Sequence, residues 1–246
     1  MIDTSIENIK KKINLTLDET EQLFDKIFNG EVNTNSLTSL LDALDKKGET
    51  PDELAGATTS MRKNSKSIDV NHNQVIDCCG TGGLGKKMIN VSTSVSFVLA
   101  AAGLKVAKHG NRTATGKSGS ADFLEAAGIN LNKSSEYFSD SLDKIGLGFL
   151  FAQNHHPGMK YVMEARKILG KKTIFNLLGP LSNPAGANIQ SIGVFHGKWI
   201  KPVGEALRNL NCKAAAIFHS DDGLDEISFS SKTHLIELSK SELITH

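Results

Sequence analysis

Val75-Ile76-Asp77-Cys78-Cys79-Gly80-Thr81-Gly82-Gly83-Leu84-Gly85 is an apolar start that runs into a glycine-rich turn. Glycines in that place let backbone N–H groups converge on an anion with no Cβ in the way. The run lacks the GK[ST] ending of a Walker loop, and the spacing G-x-G-x-x-G is not met from Gly80. A tight strand-to-helix turn would use the same residues. Downstream, Asn90-Val91-Ser92-Thr93 stands just before the apolar run Val95 to Ala102, which reads as a helix. Its hydroxyls and N–H groups then lie at a helix N-terminus that favours phosphate, although plain capping by Ser92 or Thr93 gives the same pattern. Next, Lys105-Val106-Ala107 reads as a strand that leads into the loop Lys108-His109-Gly110-Asn111-Arg112. Gly116-Lys117-Ser118-Gly119-Ser120 opens a further helix, from about Ser118 to Ala127, ended by Gly128. The bland alternative for the basic loop is a solvated surface turn. Together the three segments describe loops around one phosphate-rich ligand on an α/β layer fold.

Toward the N-terminus the apolar period becomes helical. Leu23, Phe24, Ile27 and Phe28 share one face, and Leu37, Leu40, Leu41 and Leu44 repeat the spacing. Thr50-Pro51-Asp52-Glu53 announces a third helix, with Thr50 as N-cap, Pro51 in the first turn and Glu53 closing a capping box. Residues 1–66 are therefore expected to form a small helical domain, Arg62 to Gln74 a linker, and 75–246 a larger α/β domain with a central sheet flanked by helices. Phe149 to Ala152, Ile192 to Phe195 and Ala214 to Phe218 read as buried strands. Pro157 to Leu169 reads as one helix with Met159, Val162 and Met163 on one side and Gly170 past its end. The 157–180 region is expected to rejoin the helical domain.

Twenty-eight basic and twenty-seven acidic residues leave a formal charge of +1, so no global pull toward nucleic acid or anionic membrane exists. Cys78, Cys79 and Cys212 form neither a disulfide framework nor a zinc spacing, and a reducing cytoplasm fits them best. Cys78-Cys79 reads as small packing, and His155-His156 lacks the spacing of a zinc pair. No signal-peptide core or membrane-length apolar run occurs in the sequence.

The chain resembles the anthranilate phosphoribosyltransferases, of the nucleoside-phosphorylase-like class of phosphoribosyltransferases. Gly80-Thr81-Gly82-Gly83, Asn90 to Thr93, Lys108 to Arg112, Gly119-Ser120-Ala121-Asp122, His156-Pro157, Thr173 to Pro180 and Asp225-Glu226 match in order and spacing. The resemblance implies transfer of a phosphoribosyl group from 5-phosphoribosyl 1-diphosphate to anthranilate with magnesium, by electrostatic and positional catalysis with no catalytic residue assigned. It implies that Gly80, Gly83, Leu84, Met88, Asn90, Val91, Ser92 and Thr93 hold the sugar diphosphate, and that Lys108, Gly110, Asn111, Arg112 and Ser120 face its phosphates and ribose. Arg166 would meet the anthranilate carboxylate, with His109, Asn111, His156 and Pro180 lining its approach. Ser92, Asp225 and Glu226 would contact Mg2+, and a homodimer through the helical domain is implied. On composition alone, Arg166 is also what a solvated helix arginine looks like, and Asp221 to Glu226 what an acidic turn looks like.

Two features depart from the pattern. Leu84 stands where the family has aspartate, with Lys86 and Lys87 following, and family members continue beyond the point where this sequence ends at His246. The expected α/β domain is therefore C-terminally incomplete. The competing readings are a pyrimidine nucleoside phosphorylase, a non-catalytic nucleic-acid-binding relative, and a truncated remnant that still assembles through its helices.

Overall fold

A computed structural model describes residues 2–82, 89–113 and 118–246. The expectations placed on Gly83, Leu84, Lys86, Lys87, Met88, Gly116 and Lys117 lie outside the described residues.

Four helices open the chain: α1 (Ile2–Lys10), α2 (Leu17–Phe28), α3 (Thr34–Lys47) and α4 (Pro51–Lys63). Thr16 caps α2 and Thr50 caps α4, each closing a capping box through the glutamate three residues on. Glu53 does more than cap. Its carboxylate also accepts from the Leu15 N–H at 3.0 Å and pairs with the buried Lys47 ammonium at 2.8 Å. Its charge is thus spent on two connections and a lysine, as a fully buried carboxylate requires.

The α/β part runs β1 (Ile76–Cys78), α5 (Val91–Ala101), β2 (Val106–Gly110), α6 (Ser120–Ala126), α7 (Ser135–Ile145), β3 (Leu147–Phe151), α8 (Ala152–His155), α9 (Met163–Leu169), α10 (Ile174–Leu181), β4 (Ile189–Gly193), α11 (Ile200–Asn209), β5 (Ala214–Ser220), β6 (Thr233–Ser239) and β7 (Glu242–Thr245). The sheet order is β3-β2-β1-β4-β5-β6-β7, parallel from β3 through β5 and antiparallel beyond it. The α/β architecture matches the expectation, while α7, α10, α11 and the β6–β7 hairpin were not anticipated.

Three local expectations change. Helix α5 begins at Val91, four residues before the apolar run, so its N-cap is Asn90 and neither Ser92 nor Thr93 caps it. Strand β2 continues through Gly110 because all five of its residues pair with β3, so Lys108, His109 and Gly110 belong to the sheet and not to a loop. The segment Pro157 to Leu169 is two pieces, a 3-10 turn over Pro157–Tyr161 and then α9. Gly158 lies against Phe28 so closely that an added Cβ would sit 2.9 Å from the Phe28 Cβ. Val162 is buried while Met163 faces out, so they do not share a side.

The excursion between β3 and β4 packs on the N-terminal helices. Phe24, Phe28 and Phe175 form a ring cluster with centroids 5.8 to 6.1 Å apart. One apolar core runs from α1–α4 through α10 and α11 to β4, β5 and β6. Burial of this size is the main favourable term in folding. Among the described residues no helix is long and apolar enough to cross a membrane.

Close approach of α2 and α4 depends on Gly56, where an added Cβ would meet the Leu17 carbonyl oxygen and lie 2.9 Å from the Thr20 Cβ. Gly56→Ala is expected to lower stability by about 1–3 kcal/mol, which outweighs the ~1 kcal/mol that alanine gains in helix propensity. Urea unfolding should show a lower midpoint with an unchanged slope.

Candidate active site

In a parallel sheet the ligand-binding crevice lies beyond the carboxyl ends of the strands, near the place where the strand order reverses. Here β1 is that place, with β2 and β3 on one side and β4 and β5 on the other. The turn after β1 is stitched to β4. Cys79 N–H donates to Ser191 O at 3.1 Å, Thr81 N–H donates to Gly193 O at 2.9 Å, and the Thr81 hydroxyl accepts from Phe195 N–H at 2.8 Å. Gly82, at φ +63°, donates its N–H to the Asp225 carboxylate at 3.0 Å. Gly193 lies against the Asp225 carbonyl with no room for a Cβ, and a Cβ on Gly80 would be 3.2 Å from the Asp225 carboxylate. The glycines thus serve a close approach of three loops as well as a turn.

Val91, Ser92 and Thr93 form the first turn of α5. Asn90 donates to the Ser118 hydroxyl at 3.3 Å, which joins this helix end to the approach to α6. Thr93 is buried and its hydroxyl has no partner among the described residues. Ser120 opens α6 over Gly110, which has no room for a side chain, and donates to Asn111 O at 3.3 Å. Arg112 is paired with Glu125 and Asp122, and those carboxylates hold its pKa above the ordinary guanidinium value. Asn111 is exposed, with its side-chain oxygen accepting from the Arg112 N–H at 2.8 Å.

Lys108 and His109 are buried at the carboxyl end of β2. The Lys108 ammonium donates to Cys78 O. His109 Nδ1 lies 3.1 Å from Gly179 O, and its Nε2 lies 3.2 Å from His156 Nε2. Burial holds both imidazoles below the usual histidine pKa, His109 well below and His156 down to about 4, with the neighbouring histidines adding to the effect. Both rings are neutral, so one tautomer chain satisfies the contacts. A carbonyl only accepts, so His109 Nδ1 carries the proton, its Nε2 accepts, and His156 Nε2–H donates. That leaves His156 Nδ1 as a buried acceptor with no partner among the described residues.

Pro180 sits inside α10 beside Gly179, and its carbonyl accepts from the Gln190 amide at 3.1 Å. Arg166 on α9 is half-buried, 3.5 Å from the Asn176 side-chain oxygen, with its guanidinium 5.9 Å from the Phe175 ring centre. Burial lowers its pKa, and among the described residues it makes no ion pair. A guanidinium so placed suits a planar carboxylate.

Asp225 and Glu226 lie after β5 in a loop tied back by Ser220, whose hydroxyl donates to Glu226 O at 2.7 Å and whose N–H donates to Leu224 O at 2.9 Å. Asp221 and Asp222 turn away, to His234 and to Ser228 respectively. Burial raises both remaining carboxyls, and the adjacent Asp225 charge helps push Glu226 up to about 7 against the pull of Lys108. Among the described residues no cluster of three or more His, Cys, Asp or Glu side chains could hold a metal. Two half-desolvated carboxylates with oxygen donors alone fit Mg2+, which takes one or two carboxylates and completes its shell with water and substrate phosphates. The structure thus gathers residues from β1, α5, β2, α6, the β3–β4 excursion and the β5 loop.

Sequence reading gives no role to Asp77 and Thr81, though both stand in the stretch it opens on, and none to Asn183 and Gly193. Asp77 is wholly buried; its carboxylate accepts from the His109 N–H at 3.1 Å and the Asn183 amide at 2.8 Å. A lone aspartate inside a short apolar strand was the available signal for it and the glycine motif the signal for Thr81; nothing local marked Asn183 and Gly193.

Two family models match the chain. One, described as the glycosyl transferase family helical bundle domain, covers residues 4–65, and the other, its a/b domain, covers residues 72–246. The anthranilate phosphoribosyltransferases of Marinomonas sp. and Desulfatibacillum aliphaticivorans are 43% and 44% identical over 245 residues, covering 100% of this chain and 71% and 72% of those proteins. The crystal structure of anthranilate phosphoribosyltransferase from Thermus thermophilus superposes with a TM-score of 0.90 at 37% identity, over 98% of this chain and 72% of that one. The Saccharomyces cerevisiae enzyme in complex with PRPP and Mg gives 0.84 at 26% identity, over 99% and 72%.

The histidine pair has a pH signature. Nitrogen-15 NMR is expected to find His109 protonated on Nδ1 and His156 on Nε2, both neutral from pH 7.5 to 5. Because the unfolded chain protonates histidine near pH 6.5 while the folded pair stays neutral, stability is lost as pH falls below that value. An imidazolium signal from His109 at pH 6 would contradict the tautomer chain.

Proposed function

The chain belongs to the anthranilate phosphoribosyltransferases within the glycosyl transferase family, and on that premise we propose how its own residues carry the family reaction. It transfers the phosphoribosyl group of 5-phosphoribosyl 1-diphosphate to the amine of anthranilate and releases diphosphate, the second step of tryptophan biosynthesis from chorismate. The observation that carries this reading is the convergence of the Gly80–Gly82 turn, the first turn of α5 and the Asp225–Glu226 loop at one end of the sheet.

Departure of diphosphate from the anomeric carbon leaves positive charge on the sugar and negative charge on the leaving group. The N-terminal end of α5 stabilises that negative charge without reorganising, beside a glycine turn whose Thr81 and Gly82 N–H groups are held by Gly193 O and the Asp225 carboxylate. Lys108, between the β1 carbonyl end and Glu226, adds a positive charge on the same side. Mg2+, when bound, neutralises diphosphate charge, and Asp225, Glu226 and Ser92 are the residues we assign to it. Leu84 contributes no carboxylate, so these two acidic side chains carry the metal site.

Anthranilate presents a carboxylate and a weakly basic, neutral amine. Arg166 supplies the cation for the first, and His109, His156, Asn111 and Pro180 flank the approach. Neutral rings at His109 and His156 keep positive charge away from the sugar carbon as its own positive charge grows. Placement of the amine beside that carbon supplies much of the rate. The free thiols of Cys78, Cys79 and Cys212 support a cytoplasmic setting.

Loss of anthranilate fluorescence in the presence of 5-phosphoribosyl 1-diphosphate tests the reading. Magnesium-dependent loss is expected, and Glu226→Gln should raise the magnesium concentration for half-maximal rate at least tenfold, about 1.4 kcal/mol of binding. A folded chain that leaves the fluorescence unchanged would overturn the reading. We further propose a homodimer through the helical layer, supported by the exposed Tyr161, Met163 and Ile168 around α9. Sedimentation should give a dimer for the native chain and a monomer for Met163→Glu.

A further inference from the structure

Strands β1 and β2 share a single register pair, Ile76 with Val106, whereas β2 pairs with β3 over five residues and β1 with β4 over three. One more step of parallel ladder would join Cys78 N–H to Ala107 C=O and His109 N–H to Cys78 C=O. Side chains take these groups instead. The Asp77 carboxylate accepts from His109 N–H at 3.1 Å and lies against the Cys78 N–H. Asn183 donates to Ala107 O at 2.7 Å, and Lys108 donates to Cys78 O. Asn183 also donates to Asp77 at 2.8 Å, while its own oxygen accepts from Ala185 N–H at 2.9 Å. Both ends of the Asn183 amide are therefore committed, and it cannot turn over.

We propose that Asp77 and Asn183 are positioning residues for the transfer reaction: as a side-chain strap they part β2 from β1 at its carboxyl end and so aim Lys108 at the diphosphate sugar and His109 at the aromatic acceptor. The proposal rests on the functional reading above. A continued ladder would satisfy the same backbone groups without burying a charge, so stability gives no reason for the strap. Position does. His109, its main chain tied to Asp77, sets its ring against Gly179 and His156, and Lys108 reaches across to the Cys78 carbonyl of β1.

The experiment pairs Asn183→Ala with Asn183→Asp. Asn183→Ala removes the link to Asp77 and should raise KM for anthranilate about tenfold with a smaller change in kcat. Asn183→Asp is nearly isosteric but sets a carboxylate against Asp77 and Ala107 O, and about a hundredfold rise is expected. A merely structural role would lower Tm and leave KM unchanged in the folded fraction. Nitrogen-15 shifts of His109 should lose their single-tautomer pattern in both variants. Folded variants with native KM and an intact His109 tautomer overturn the proposal. Should neither variant fold, the native chain decides: slow exchange of the His109 amide with deuterium supports the strap, and exchange at the rate of an open loop overturns it. Absence of turnover in the native chain would count against the functional reading and leave the His109 signals to decide the strap.

Discussion

A carboxylate with no access to water, Asp77, sits between the first two strands of the sheet, and burial raises its pKa to about 6 even with Lys108 nearby and N–H donors around it. A charge in that place is tolerable only if each lone pair is engaged and a cation is close. The main chain of β2, the amide of Asn183 and the ammonium of Lys108 meet these demands together. Their geometry in turn determines where the carboxyl end of β2 goes, and the candidate site is built on that end. The sheet core supports this arrangement from below, with β2 held to β3 along its whole length.

The second support is the long excursion from β3 to β4. It leaves the sheet at one edge, passes against α2, α3 and α4, and returns beside β1. Along that path it brings Gly179 and His156 against His109 at the carboxyl end of β2. Phe175, packed against Phe24 and Phe28, anchors the path in the helical core, and the Arg166 guanidinium lies over its ring. The proposed acceptor side and the packing of the helical layer therefore share residues.

Charge is divided across the site. On the proposed acceptor side stand two imidazoles held neutral by burial and a half-buried arginine. On the proposed donor side Asp225 and Glu226 are pushed toward protonation by burial, which a bound divalent cation would offset. Asp225 holds the glycine turn by the Gly82 N–H, so the residue assigned to the metal also shapes the phosphate loop. Arg112, the most conspicuous cation of the sequence motif, is committed to Glu125 and Asp122 and closes the loop on α6.

Much of this was legible in the chain as written. Apolar spacing in Leu23 to Phe28 and Leu37 to Leu44 determined the helices, and Thr50-Pro51-Asp52-Glu53 determined where α4 begins, because these signals act within one or two turns. Glycine at 80 and 82 and the polar start of α5 marked a candidate phosphate side for the same local reason, whereas the Asp225-Glu226 pair was pointed out only by the family resemblance and by itself looks like an acidic turn. Tertiary structure decided the rest. That β2 runs on through Lys108-His109-Gly110 follows from pairing with β3, which lies beyond α6 and α7 in sequence, and no local pattern reports it. That Asp77 and Asn183 meet, with Gly193 clearing the way for Asp225, depends on strands brought together by crossovers. Local propensity is a property of neighbours along the chain, whereas a buried charge finds its partners across the sheet, and only the assembled fold brings those partners within hydrogen-bonding reach.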